Sequence, residues 1–589
     1  MPLTKLQFQP GINKEVTSYG AEGGWYDSDK IRFRSGMPEK MGGWDKYITS
    51  TTLDGKARGI LSWKTNDGEI SLVIGTHKKV YVEQGGNYND ITPIRTTTAM
   101  ATDPVATVNG NTTITITETA HGAQNGDYVI LSGLVCTGLD DSEVNAEHVL
   151  TKINDDSYTV VVTTAATATG NTGGASGVGE YLLAIGLDDS TYGTGWGAGA
   201  WNAGTWNTAR TGGVTTSSRF WYFDLWGEDL VFTHNFGKIY TWDASGGVNV
   251  RATEITQAPS ANNLCAVTVP DRHLVAFGAH DGTQHDTMLV KWCSQEDYTD
   301  WTPTATNTAG SQLLSGGSTI IAASRSEGQI LIWTDTDLHS MQYIGPPYTF
   351  GFQQVGSNCA VVSSRAFVNF NGVTVWMGLR NFWMYDGSLR VLPSTVNAYV
   401  FDDINLTNAP KIHASTIAEY NEVIWFYCSA ASTEVDRYVT YNFVEQVWTV
   451  GTMDRTSWVD RGVLKYPVGF DGNGQGYNHE KTHNADGVAM VAHVESGELD
   501  IAEGDSLMFM TRIIPDFTMQ GSLDLTLKTR KYPNATQTAT VFTGITSSTE
   551  KVDIRVRGRQ ASIRIESNTT DCDWRYGALR LDIKPDGRQ

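Results

Sequence analysis

Three sets of neighbouring carboxylates are the first residues in this chain that could do chemistry: Glu296 with Asp297, Asp335 with Asp337, and Asp402 with Asp403. Cleaving a glycosidic bond takes two carboxyl groups flanking it, one of them kept protonated by its surroundings. Each of these sets falls in a turn-like or loop-like stretch, where acids cap backbone N–H groups or face water. Nothing in the adjacent sequence gives any of them an apolar pocket.

Histidine offers little more. His234, His273, His280 and His285 are isolated, and His479 with His483 sits in NHEKTHN, a polar, turn-rich stretch that reads as a solvated loop rather than a metal-ligand cluster. HGAQNGD from His121 contains glycines, but they do not follow a strand and open a helix as a phosphate loop must, so a hairpin turn is expected. The SxDxGxTW turn of sialidase propellers is absent, as are Walker, Rossmann and G-x-S-x-G patterns. The expectation is a chain with no catalytic residues, no metal and no cofactor, and hence not an enzyme. The residues singled out instead are Trp196, Trp201 and Trp206, in TYGTGWGAGAWNAGTWNTARTGG from Thr191. Exposed indoles among small residues need a partner surface, and a subunit contact is favoured over stacking on sugars.

The elements that would carry these residues repeat. In GQILIWTDTDLHSMQYIG, from Gly328, an apolar strand meets a short polar turn and a second strand. The same figure recurs from Glu69, Glu228, Gly372 and, with longer turns, from Arg272 and Asn421. From Glu228 onward the starts are separated by roughly 45 to 55 residues, the pitch of four-stranded propeller blades. At Trp242-Asp243, Tyr385-Asp386 and Tyr441-Asn442 the second strand ends in an aromatic that can pack between blades, followed by a side chain that can cap the next turn.

The expected fold class is all-β: a β-propeller of six blades with an inserted small β domain and a C-terminal β-sandwich-like domain. The boundaries are 1–56 for an N-terminal arm with ring-closing strands, 57–102 for the first blade and 103–179 for an inserted module of about five strands. Residues 180–451 hold the remaining blades with a Gly/Trp-rich connector, and 452–589 a polar loop followed by the terminal domain. In that domain Val552, Ile554 and Val556 alternate with Asp553, Arg555 and Arg557, so one sheet face is buried and the other charged.

Composition narrows the partners. Lys and Arg total 43 against 64 Asp and Glu, a formal charge of −21, without basic clusters, which speaks against sequence-specific nucleic-acid binding. An acidic wall past which DNA slides without sticking is compatible with this charge. The six cysteines have no CxxC pair and read as buried free thiols, as in a protein assembled in a reducing cytoplasm. The N-terminal MPLTKLQFQPGINKE has no apolar h-region and no uncharged apolar run spans a bilayer, so neither secretion nor membrane embedding is expected.

MPLTKLQFQPGINKE, DKIRFRSGMPEKMGGW from Asp29, the run from Gly328 to Pro393 and the closing sheet domain resemble the nozzle, or tail-hub, proteins of short-tailed bacteriophages of the podovirus type, the phage-stabilisation-like class. The resemblance implies a virion tail protein assembled in the host cytoplasm as a homohexameric ring below a portal-adaptor protein. Such a ring is a gated channel for genomic DNA and carries tail fibre or tailspike proteins, with no membrane partner. The insert at 103–179 departs from the short forms of that class. The alternative is a glycan-binding or glycan-hydrolysing propeller of tailspike type; a free-standing intracellular scaffold is a third reading.

Overall fold

The structure, a computed structural model, describes residues 4–190, 217–500 and 504–587. It divides into two compact units, Leu53–Leu314 and Met1–Thr52 with Ser315–Gln589.

The fold is all-β and built from propeller blades. Unit Leu53–Leu314 contains three four-stranded antiparallel sheets in up-and-down order, spanning Ala57–Asp90, Trp221–Glu254 and Leu264–Leu313. The other unit contains three more, spanning Ile320–Ser357, Phe367–Val391 and His413–Thr452. The repeated sequence figure is the middle hairpin of every sheet: Gln329–Thr334 with Asp337–Gly345 in the fourth, Glu422–Tyr427 with Arg437–Asn442 in the sixth. Middle strands are covered on both faces, which is why Glu422–Tyr427 and Leu274–Phe277 are buried at every position and read as continuous apolar runs.

Aromatics join blade to blade within a unit. The Phe382 ring lies 5.1 Å from Trp425 and 4.6 Å from Trp448, and Trp333 meets Trp376 edge-on at 5.4 Å. A buried indole needs an acceptor. Trp376 Nε1 donates to the Cys359 carbonyl (3.0 Å), and Trp425 Nε1 to that of Ala366 (3.0 Å). The capping residues also act locally: Asp243 accepts from Ser245 N (2.8 Å), and Asn442 from Val444 N (3.0 Å) and Glu445 N (2.9 Å).

Between the first and second blades lies a nine-stranded module from Ile94 to Leu182, wider and richer in strands than the sequence suggested. One sheet pairs Ile94–Ala99, Val178–Leu182, Tyr128–Ser132 and Glu147–Val149; the other holds the remaining five strands, all between Val105 and Thr172. Its apolar core, including Ile114, Ile116, Val129, Leu131 and Tyr158, is its own.

The N-terminal strands differ from expectation. None of those between Thr4 and Lys46 pairs with a blade among the described residues; they complete the sheets of the terminal domain. Thr4–Leu6 pairs with Leu579–Pro585, Gly24–Asp29 with Ala492–Ser496, and Gly43–Lys46 with Gly476–Thr482. The ring-closing role assigned to 1–56 is therefore corrected. The apolar faces of these strands, with Ile12, Trp25, Ile31 and Phe33 buried, find their cover in the terminal sheets and in Val447–Thr452, the outer strand of the sixth blade. The polar stretch after Trp448 is likewise no loop but a six-stranded sheet that includes Ser457–Val459, Val468–Phe470 and Gly476–Thr482.

Candidate functional site

The joint between the N-terminal strands, the sixth blade and the terminal sheet concentrates buried charge. Ile31–Arg34 places Arg32 with only 2% of its side chain exposed, facing two carboxylates. Glu480 receives Nη1 at 2.9 Å and Nη2 at 2.6 Å in a bidentate fork, while Glu422 Oε2 stands 3.4 Å from Nη2. The guanidinium lies 3.5 Å from the centroid of the Tyr420 ring. Close by, Glu39 pairs with Arg34 (3.0 Å) and Arg575 (3.8 Å), and Lys40 Nζ donates to the carbonyls of His483 (2.9 Å) and Cys572 (2.5 Å).

One guanidinium between two glutamates leaves a charge deficit. Burial pushes the Glu422 carboxyl up to about 7, against the pull of Arg32 and with the push of Glu480, so it holds a proton near neutrality. Arg32 itself is raised, because the two carboxylates outweigh its burial.

Tyr420 also lines a cavity of about 210 Å3, with Phe33, Arg34, Glu419, Asn421, Asn442, Val444 and Glu445. Two of its acids are engaged: Glu445 accepts the backbone N–H groups of Ser35 and Gly36, and Glu419 pairs with Arg461 at 2.6 Å. Glu422 is not among the residues that line this cavity; Tyr420, whose ring meets Arg32, is common to the cavity and the buried charge cluster.

The loop expected around NHEKTHN is a strand, and its histidine is core. His479 is 2% exposed, its ring 4.2 Å from that of Trp458 and tilted to it by 45°, and it accepts from Arg455 Nε at 2.9 Å. Burial and the Arg455 charge hold it neutral, far below the usual histidine range. Arg455 in turn sits over Trp44 (5.0 Å) and Tyr477 (4.6 Å). The reading of a solvated loop fails because Gly43–Lys46, over 400 residues away in sequence, supplies the neighbouring strand.

A second constellation lies in the third blade. Asp271 Oδ2 is 2.8 Å from His273 Nδ1, and His273 Nε2 is 3.1 Å from Thr308 Oγ1, the connectivity of an acid–base–hydroxyl triad. Thr308 Oγ1 also accepts from Gln295 N at 2.7 Å, so the chain fastens the 295–307 loop to its blade.

The residues singled out from sequence are dispersed. Asp335 caps Ser318 N (2.7 Å), Asp337 accepts from Gln354 (3.0 Å), Asp297 caps Thr299 N (2.9 Å), and Glu296 pairs with Arg272 (3.1 Å). Asp402 and Asp403 end the helix Asn397–Asp403 instead of lying in a loop. His121 is buried and bonded to the Asn154 carbonyl (3.0 Å). Trp196, Trp201 and Trp206 lie outside the described residues. All six cysteines are buried free thiols. Among the described residues no group of three or more His, Cys, Asp or Glu is placed to hold a metal ion. Glu422 and Arg32 were missed because a strand pattern such as IRFR or NEVIWFY says which face is buried, and not which distant charge it will meet.

No family model matches the chain, and no curated protein matches it. Solved structures do. The exo-β-1,3-galactanase of Phanerochaete chrysosporium matches at 11% identity over 63% of this chain and 97% of its own, TM-score 0.23. A glycoside hydrolase family 43 arabinoxylan arabinofuranohydrolase from Bacillus subtilis matches at 10% over 82% and 96%, TM-score 0.23. The endosialidase of phage phi92 matches at 12% over 84% and 64%, TM-score 0.16. Against the expectation that the chain is not an enzyme, hydrolases are among these matches. At such identities and scores they say nothing of a reaction.

Proposed function

We propose that this chain is a structural component of a short bacteriophage tail, a nozzle-type ring through which the genome leaves. The observation that supports this reading is where the residues of the resemblance fall. DKIRFRSGMPEKMGGW lies in the terminal module. It carries Arg32, Glu39 and Lys40 of the buried joint, and its glycine pair is dictated by close backbone approach. A Cβ on Gly43 would stand 2.1 Å from the Asn484 carbonyl oxygen, and one on Gly42 2.7 Å from Glu480 Cα. The segment that carries the proposed resemblance is thus part of the packed interior. The net charge of −21 suits a wall that DNA must pass without sticking. Six blades closing into one ring, a hexamer, an adaptor partner and attached fibres or spikes belong to the same proposal. Gold-labelled antibody against the chain, applied to intact virions, should mark the distal tip of the tail; label elsewhere, or none, overturns the reading.

A second reading is a glycan-active propeller, whose candidate acids are the raised carboxyl of Glu422, buried against Arg32, and the cavity residues Glu419 and Glu445. Release of reducing ends from a host polysaccharide, lost in Glu422→Gln while the chain stays folded, would establish it. Release unaffected by that substitution would remove Glu422 from the chemistry.

A further inference from the structure

We propose that the outer hairpin of the fourth blade is a lipid-contacting tip that inserts into the interfacial layer of a zwitterionic bilayer. In that blade the two outer strands, Asp337–Gly345 and Thr349–Ser357, are nine residues each, while the strand inside them, Gln329–Thr334, has six. Pairing with the inner strand runs from Trp333 opposite Leu338 to Ile330 opposite Met341. Beyond Met341 the two outer strands continue with each other, Gln342 opposite Gly351, Tyr343 opposite Phe350 and Gly345 opposite Thr349. A two-stranded ribbon therefore overhangs the sheet by four residues, roughly 13 Å at the rise of a strand.

The end of this ribbon has the wrong composition for water. Tyr343, Ile344 and Tyr348 are 42%, 57% and 74% exposed, and Pro346 and Pro347 between them are exposed too. No Asp, Glu, Lys or Arg occurs between Asp337 and Arg365. A cluster of large apolar side chains at a projecting end marks a contact surface.

The chemistry of the tip selects its occupant. Entering a bilayer interface requires apolar bulk, amphipathic aromatics at headgroup level and few unmet backbone donors. Ile344 supplies the first and Tyr343 and Tyr348 the second. Pro346 and Pro347 have no N–H to desolvate, and Phe350 N already donates to the Tyr348 carbonyl at 2.7 Å. The chain carries a formal net charge of −21. The same charge opposes anionic lipid, so a neutral surface remains. Among the described residues no helix is long and apolar enough to cross a membrane, and interfacial insertion of a tip needs none.

The test is flotation of the full chain with phosphatidylcholine vesicles, alone and with phosphatidylglycerol added, at low and high salt. The chain should co-float with phosphatidylcholine equally at both salts, and less when phosphatidylglycerol is present. Ile344→Asp and Tyr348→Asp should each lower the partition coefficient at least tenfold, whereas Leu406→Asp, at an exposed apolar position elsewhere (68%), should not. Tyr348→Trp gives a second readout, a blue shift of tryptophan emission on adding vesicles. No flotation, binding lost in high salt, or binding indifferent to Ile344→Asp overturns the proposal. So does an Ile344→Asp chain that changes its mass in solution instead of its affinity for vesicles, which would mean that another copy covers the tip.

Discussion

Two β modules accompany the blades, and they are held together by different physics. The inserted module, Ile94 to Leu182, is continuous in sequence and closes around an apolar core in which Ile114, Ile116 and Val129 are fully buried, its buried acids Glu118 and Asp127 meeting partners from the same stretch, Tyr181 and Arg95. The terminal module is assembled from both ends of the chain, and beside its apolar core it meets the sixth blade through a fork of buried charges, Arg32 and Glu480 facing Glu422 of the blade. The first loses stability in proportion to the apolar area removed. The second depends on charges that are stable only together, since a buried ion left without its partner costs far more than the pair contributes. A local module can thus be edited by degrees, whereas the joint should fail as a unit.

The sharpest way to break this comparison is Arg32→Ala, which leaves two buried carboxylates facing one another. We expect a loss of about 3–5 kcal/mol, read as a lowered urea midpoint; an effect within error would mean that the joint is ornamental. Next is pH. Folded Glu422 keeps its proton up to about 7, against an ordinary value of 4.5. The folded chain therefore binds more protons than the unfolded one between those values. This group's contribution is fully present below pH 4.5 and lost as pH rises to 7, by roughly 3 kcal/mol. Glu422→Gln should remove that slope, so wild type and variant should differ in the pH dependence of their midpoints. A smaller effect is expected from Gly43→Ala, where the new methyl meets backbone rather than a movable side chain; about 2 kcal/mol is expected, again by urea titration. The smallest belongs to the inserted module: Ile114→Val should cost about 1 kcal/mol without altering the pH profile. A pH-dependent cost there would erase the distinction between the modules.

The same contrast explains what could be read in the sequence. Each middle hairpin is local, so the strands around Gly328, Gly372 and Asn421 show as apolar runs about a short turn, and Asp243 and Asn442 announce their own caps. The inserted module is a continuous stretch whose alternation is visible, although short strands such as Val105–Thr107 and Gly170–Thr172 are too brief to leave a period. The joint was illegible for a physical reason. MGGW looks like a turn until the strand that crowds it, some 430 residues later, is in place, and NHEKTHN looks polar because its charges are neutralised by partners from elsewhere. Glu480 and His479 have the composition of a loop and the environment of a core. The Asp271–His273–Thr308 chain was missed, because His273 reads as isolated and its hydroxyl arrives 35 residues on, after two strands and their loops.

The central claim is that the chain works as a ring. The measurement that meets it most directly is the mass of the purified full chain by light scattering, alone and with the candidate adaptor, supported by negative-stain images. The account predicts particles of six copies, formed alone or on the adaptor. A chain that stays monomeric at high concentration and ignores the adaptor would contradict it.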